Sequence, residues 1–171
     1  MKASSDHDTA TLSHIIDITA LHAHEAEFIV EADETQRMAV AERLRIPGIR
    51  KLRGVFRVRP VRGGAEIKLR LEAETERQCV VSLEPMTEAI DDDIVMTFDR
   101  NFVESEEDET AWREPLDGDE IDLGELLVQH LSLALDPYPR KDGAESLLET
   151  YRNAATASPF AGLKGLKDPD S

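Results

Sequence analysis

The chain has 171 residues, a single cysteine and a formal net charge of −16 at pH 7. That length predicts one domain with enough chain to bury a core. The lone Cys79 excludes an intramolecular disulfide, and no apolar run approaches the roughly 18 residues of a bilayer span. Met1 to Ala10 has no apolar signal core, so a cytoplasmic, membrane-free protein is expected. Only 5% of residues are aromatic, which leaves Val, Ile, Leu and Ala to build the core.

Residues 1–12 are small and polar and are expected to be disordered. His14 to Thr19 and Ala26 to Ala32 read as short strands. Asp33 and Gln36 form a capping box that opens a helix over Glu34 to Arg45, with Val40, Ala41 and Leu44 buried and Pro47-Gly48 as the stop.

The clearest pattern follows. Along Leu52 to Pro60 the even positions are apolar or small, and Arg53, Arg57 and Arg59 occupy odd ones. Along Ala65 to Glu76 the parity is reversed: Ile67, Leu69, Leu71 and Ala73 alternate with Glu66, Lys68, Arg70, Glu72, Glu74 and Glu76. Alternation with one wet face predicts a β-hairpin, with Arg62-Gly63-Gly64 as its turn. A third extended run is expected at Ile94 to Phe98. Residues 99–120 read as an acidic, irregular loop.

Asp122 and Glu125 predict a second capping box, opening an amphipathic helix. Leu123, Leu126, Leu127, His130, Leu131, Ala134 and Leu135 share its apolar face, and Pro137 and Pro139 end it. Ser146 to Ala155 reads as a helical turn or two. Residues 156–171 form a flexible tail in which Phe160, Leu163 and Leu166 recur at helical spacing, a segment suited to folding on a partner. The predicted whole is α+β: residues 13–155 as one domain, an antiparallel sheet around the central hairpin with one main amphipathic helix packed on it.

Charge is segregated along this chain. Arg43 to Arg70 holds ten Lys or Arg and one acid, whereas Glu72 to Glu125 holds twenty acids and three Arg. A hairpin whose paired positions sum to about 127 sets Arg59 opposite Lys68 and Arg57 opposite Arg70, with Arg53 opposite Glu74. Arg57, Arg59, Arg62, Lys68 and Arg70 then cluster at the tip as candidate contacts for RNA or another anion. The alternative is intramolecular pairing, for example with the acidic loop. The island carries no interleaved aromatics, so base stacking is not expected.

The remaining chemistry is sparse. Asp91-Asp92-Asp93 and Glu106 to Glu109 lack EF-hand spacing, and His22 with His24 does not complete a zinc site. His130 reads as a core histidine, and Cys79 as a buried or idle thiol. No phosphate loop, dinucleotide fingerprint or nucleophile elbow is present. No enzyme, metal or cofactor is expected.

Three segments in order resemble the YceD family of large ribosomal RNA subunit accumulation proteins. Cys79-Val80-Val81-Ser82-Leu83-Glu84-Pro85 is similar to a family Cys-x-x-Cys-Leu-x-Pro segment, with Ser82 in place of the second cysteine. Ile121-Asp122-Leu123, leading to a helix that runs out through Pro137 and Pro139, resembles a second family block. Pro159 to Lys167 resembles a family ending of the form PFA-x-L-x-x-L. The resemblance implies a cytoplasmic, non-catalytic ribosome-biogenesis factor supporting synthesis, processing or accumulation of 23S rRNA. The implied partners are a large-subunit precursor, 23S rRNA, or a basic ribosomal or processing protein. The alternative is an acidic adaptor or chaperone-like module that binds a basic client without touching RNA.

Overall fold

The computed structural model describes residues 12–21, 24–102 and 112–143. These fall into two compact units: residues up to Arg77 together with Thr87 to Pro137, and Gln78–Met86 together with the described residues from Tyr138 onward.

The first unit is α+β. Its strands and helices are β1 (Ile15–Asp17), β2 (Ala26–Glu31), α1 (Glu34–Leu44), β3 (Gly48–Val61), β4 (Gly64–Gln78), β5 (Pro85–Asp99), β6 (Trp112–Pro115), β7 (Glu120–Asp122) and α2 (Leu123–Ala134). Five strands form one sheet in the order β2-β3-β4-β5-β6, and β1 pairs with β7 in a second, two-stranded sheet.

Local signals explain the helices. At α1, the Asp33 side chain accepts the Gln36 amide and Gln36 returns the bond to the Asp33 amide. Arg45 closes the helix in the left-handed region, with φ 55°. At α2, Asp122 accepts the amides of Gly124 and Glu125. The second half of the expected box is replaced, because the Glu125 carboxylate instead takes a bidentate bond from Arg43 of α1 at 2.5 and 2.6 Å. That bridge links the two helices directly.

Alternation builds the core beneath them. Leu52, Phe56 and Val58 of β3 and Ile67, Leu69 and Leu71 of β4 are buried, as are Leu123, Leu127 and Leu131 of α2. Gly54 lets the helix approach: a Cβ there would lie 2.9 Å from Leu127 Cδ1. Leu12, expected in the disordered start, is buried in this core.

Four expectations need correction. The hairpin pairs as Val61↔Gly64, Arg59↔Glu66, Arg57↔Lys68, Val55↔Arg70 and Arg53↔Glu72, two residues away from the expected register. The turn is the two-residue Arg62-Gly63, with Gly63 at φ 89°. Gly64 is a ladder residue because the Phe98 carbonyl fills the space of its missing Cβ. A shift of two keeps every side chain on its face but changes every cross-strand partner.

Second, the third strand spans Pro85–Asp99 rather than Ile94 to Phe98. Its middle carries Asp91-Asp92-Asp93, which lie exposed and hide its strand character from a hydrophobic pattern. Third, the sheet is mixed, since β6 runs parallel to β5 with Met96 opposite Trp112. Fourth, the expected irregular loop contains β6 and the first residue of β7. Its residues 103–111 lie outside the described residues, as do Ser146 to Ala155 and the tail.

Candidate functional site

The helices cover one face of the sheet, and the opposite face carries its charges. Odd positions of β3 and even positions of β4 project there. Across β2, β3 and β4 the rows run Glu31↔Arg53↔Glu72, Ile29↔Val55↔Arg70 and Glu27↔Arg57↔Lys68, followed by Arg59↔Glu66. A cleft of about 430 Å³ opens on this face, lined by residues that include Arg53, Val55, Arg57, Lys68, Arg70 and Val95.

The fold brings four of the five sequence-predicted cations onto this face, each beside a carboxylate. Arg57 donates to Glu27 at 3.1 Å. Arg59 donates to Glu66 at 2.9 Å, and Lys68 lies 3.9 Å from the same carboxylate. Arg70 donates to Asp91 at 2.8 Å and Asp93 at 3.1 Å. Arg62 sits at the turn, exposed. The expected acid-free cluster is therefore a charge grid, because the true register interleaves opposite signs. Arg53 finds Glu72 at 3.4 Å rather than Glu74. Lys51 binds Glu72 at 2.5 Å, and that bond is the main cause holding the Glu72 carboxyl below its ordinary range.

The grid's carboxylates were missed as partners. Glu27 lies 30 residues from Arg57, and Asp91 21 residues from Arg70. Only the strand order makes them neighbours. The Asp91–Asp93 run, considered above as a cation site, thus has two of its three acids engaged by Arg70. Among the described residues no group of three or more His, Cys, Asp or Glu is arranged to hold a metal. His22 and Glu106 to Glu109 lie outside them. His130 is buried on α2; burial pushes its pKa down, against the pull of Glu114 and Asp92.

The second unit contains the first motif segment. Here Cys79 to Pro85 folds into a tight turn around a buried sulfur. The Cys79 amide donates to the Glu84 carbonyl and the Leu83 amide to the Cys79 carbonyl, both at 2.9 Å. Leu83 adopts φ 60°. The amides of Ser82 and Lys141 each donate to Sγ at 3.4 Å. The Lys141 amide, then the Ser82 hydroxyl and amide, outweigh burial and lower the Cys79 pKa to about 6. Lys141 Nζ donates to Glu84 at 2.8 Å, and the Val80 amide to the Pro139 carbonyl at 2.9 Å. No motif or spacing ties Lys141 to Cys79, which lies 62 residues away.

The second motif is architectural. Ile121 and Leu123 are buried, and Asp122 caps α2. Asp122 also accepts the Ser13 hydroxyl at 2.7 Å and the His14 amide at 2.8 Å. Phe160, Leu163 and Leu166 of the third motif lie outside the described residues.

No helix among the described residues is long and apolar enough to cross a membrane. No curated protein and no solved structure is significantly similar to the chain. A family model, described as large ribosomal RNA subunit accumulation protein YceD, matches residues 67–167. The match opens inside β4 and covers Lys68, Arg70 and all three motif segments, leaving Arg57, Arg59 and Arg62 before it. Since it spans more than half of the 171 residues, the chain belongs to the YceD family of large ribosomal RNA subunit accumulation proteins.

Proposed function

We propose that this protein is a non-catalytic, cytoplasmic ribosome-biogenesis factor that supports synthesis, processing or accumulation of 23S rRNA. The carrying observation is the family match, whose description ties the chain to large-subunit ribosomal RNA. The open charged face is the contact surface in this reading. The pairs of Arg57 with Glu27 and of Arg70 with Asp91 and Asp93 are exposed, and exposed pairs are weak enough to exchange partners. With net charge −16, contact with RNA must be local, since the whole molecule repels polyanions at long range. The acidic residues serve a basic ribosomal or processing protein, and Phe160, Leu163 and Leu166 serve a partner groove.

The internal pairing of Arg57, Arg59 and Arg70 favours a second reading. A face already neutralised from within suits an acidic adaptor or chaperone-like module for a basic client, with no RNA contact.

Sedimentation of the full chain with large-subunit precursors separates the two. Changing Arg57, Arg59, Arg62 and Arg70 to Ser weakens association under the first reading. Unchanged association with the fold intact, by circular dichroism, leaves the adaptor. A wild-type chain that associates with no large-subunit precursor removes the biogenesis role.

A further inference from the structure

The charged pairs of the β2–β3 and β3–β4 ladders are of opposite sign at every position but one. Glu31↔Arg53, Glu27↔Arg57, Lys51↔Glu74, Arg53↔Glu72 and Arg59↔Glu66 all attract. Arg57↔Lys68 alone sets cation against cation. Like charges directly opposite destabilise a sheet, and a local conflict in an otherwise consistent pattern marks a functional position.

The two cations are only loosely compensated. Arg57 reaches Glu27 through Nε alone, with side chains 59% and 51% exposed, and Lys68 lies 3.9 Å from a carboxylate that Arg59 already holds at 2.9 Å. Both line the 430 Å³ cleft, whose wall also holds Arg53 and Arg70 against the carboxylates Glu72 and Asp93, so cations outnumber acids there. An anion seated between Arg57 and Lys68 would attract both members of the one repulsive pair. A guanidinium fork beside an ammonium suits a tetrahedral oxyanion, where the fork takes two oxygens and the ammonium acts as a point charge.

We propose that Arg57 and Lys68 form a subsite for a backbone phosphate of RNA, with ladder stability given up for the charge that binds it. This rests on the RNA-contact reading above and assigns that contact to one place on the face.

Two measurements on the full chain test it: thermal unfolding, and anisotropy of a short labelled RNA oligonucleotide at low salt. Lys68→Glu makes the pair attractive and leaves the Glu27–Arg57 bond in place, whereas Arg57→Glu exchanges the conflict with Lys68 for one with Glu27. Arg50→Glu is the charge-matched control, since Arg50 pairs with Glu74 and Glu76 at the far end of β3. Lys68→Glu should raise Tm by about 1–3 °C and weaken RNA binding about tenfold, while Arg50→Glu lowers Tm and changes binding far less. Equal loss of binding in Lys68→Glu and Arg50→Glu overturns the subsite, as does a fall in Tm for Lys68→Glu. Polyglutamate that displaces the RNA as well as unlabelled RNA does assigns the row to carboxylates and overturns the phosphate. Precursor association read in parallel separates the levels. If wild type and Lys68→Glu associate equally, the subsite fails and the biogenesis reading stands; if wild type does not associate, that reading fails.

Discussion

Asp122 accepts the backbone N–H of His14 at 2.8 Å across 108 residues of sequence, while the same oxygen caps α2 through Gly124 and Glu125. One carboxylate thus starts the helix and holds the β1 segment beside it. The reverse bond from Leu123 N–H to the His14 carbonyl, at 2.9 Å, completes the attachment. The family's Ile-Asp-Leu segment is accounted for by architecture: two buried side chains around a cap.

Replacing Asp122 by Ala removes the cap and the tether together, at a cost of about 2 kcal/mol, the upper end for cap loss. Burial raises the Asp122 pKa, but the His14 amide, the Ser13 hydroxyl and the cap amides outweigh it, so the net shift is downward. A depressed carboxyl contributes stability that is full above its unfolded pKa, roughly 4, and is lost as pH falls through the folded value. Asp122→Asn should therefore be less stable than wild type at pH 7, with the gap closing below about pH 4. Urea denaturation at several pH values measures it, and a pH-independent gap would show that the charge is not involved.

The hairpin register predicts different costs for adjacent glycines. Gly64→Ala puts a methyl group into the Phe98 carbonyl of β5. Backbone cannot yield as a flexible side chain does, so the cost should reach about 1–3 kcal/mol. Gly63→Ala meets no such neighbour within 3.4 Å but must hold φ 89°, about 1–2 kcal/mol of backbone strain. Gly63→Asn should recover part of that loss, since Asn tolerates the left-handed region; Gly64→Asn should not. Equal responses at both positions would contradict the close approach of β5 to Gly64.

Helix α2 and the sheet are coupled through Gly54 and Leu127. Leu127 is fully buried, and its truncation to Ala should cost about 2–5 kcal/mol. A Cβ at Gly54 would press on Leu127 Cδ1, Phe56 and Leu69. Gly54→Ala should therefore destabilise wild type but cost less on the Leu127→Ala background, where the methyl group enters vacated space. A double-mutant cycle by chemical denaturation reads the coupling directly. Additive effects would mean that the helix does not bear on Gly54.

What could be read in the sequence was local. The α1 capping box, the Asp122 cap and the alternation of Leu52 to Glu76 depend on residues within a few positions of one another, and the structure contains all of them. What could not be read was set by strand order and register. No spacing rule places Glu27 beside Arg57, Asp93 beside Arg70 or Lys141 beside Cys79. The register turned on which of two adjacent glycines served the turn, and Gly64 was claimed by the Phe98 carbonyl of a strand whose first half the acidic run concealed. A two-residue shift of register keeps the same cations on the same face and exchanges their partners, so it changes the electrostatics of that face and not its composition.

Cys79 carries the last prediction. Its sulfur is buried and receives N–H donors from Ser82 and Lys141, which with the Ser82 hydroxyl lower its pKa to about 6. Thiolate absorbance near 240 nm should therefore appear as pH rises through about 6 in the folded chain, and only near the ordinary thiol value, about 8.5, in urea. The sign for stability follows from the depressed pKa. The contribution is full above the unfolded value and shrinks as pH falls, vanishing below about pH 6. Cys79→Ser should remove this dependence, losing most relative to wild type at alkaline pH and least near pH 5. Ser82→Ala, which deletes a hydroxyl that lowers the pKa and spares both amides, should move the titration upward by less than full unfolding does. A folded thiol that titrates at its ordinary value would mean that the two amides do not stabilise the thiolate.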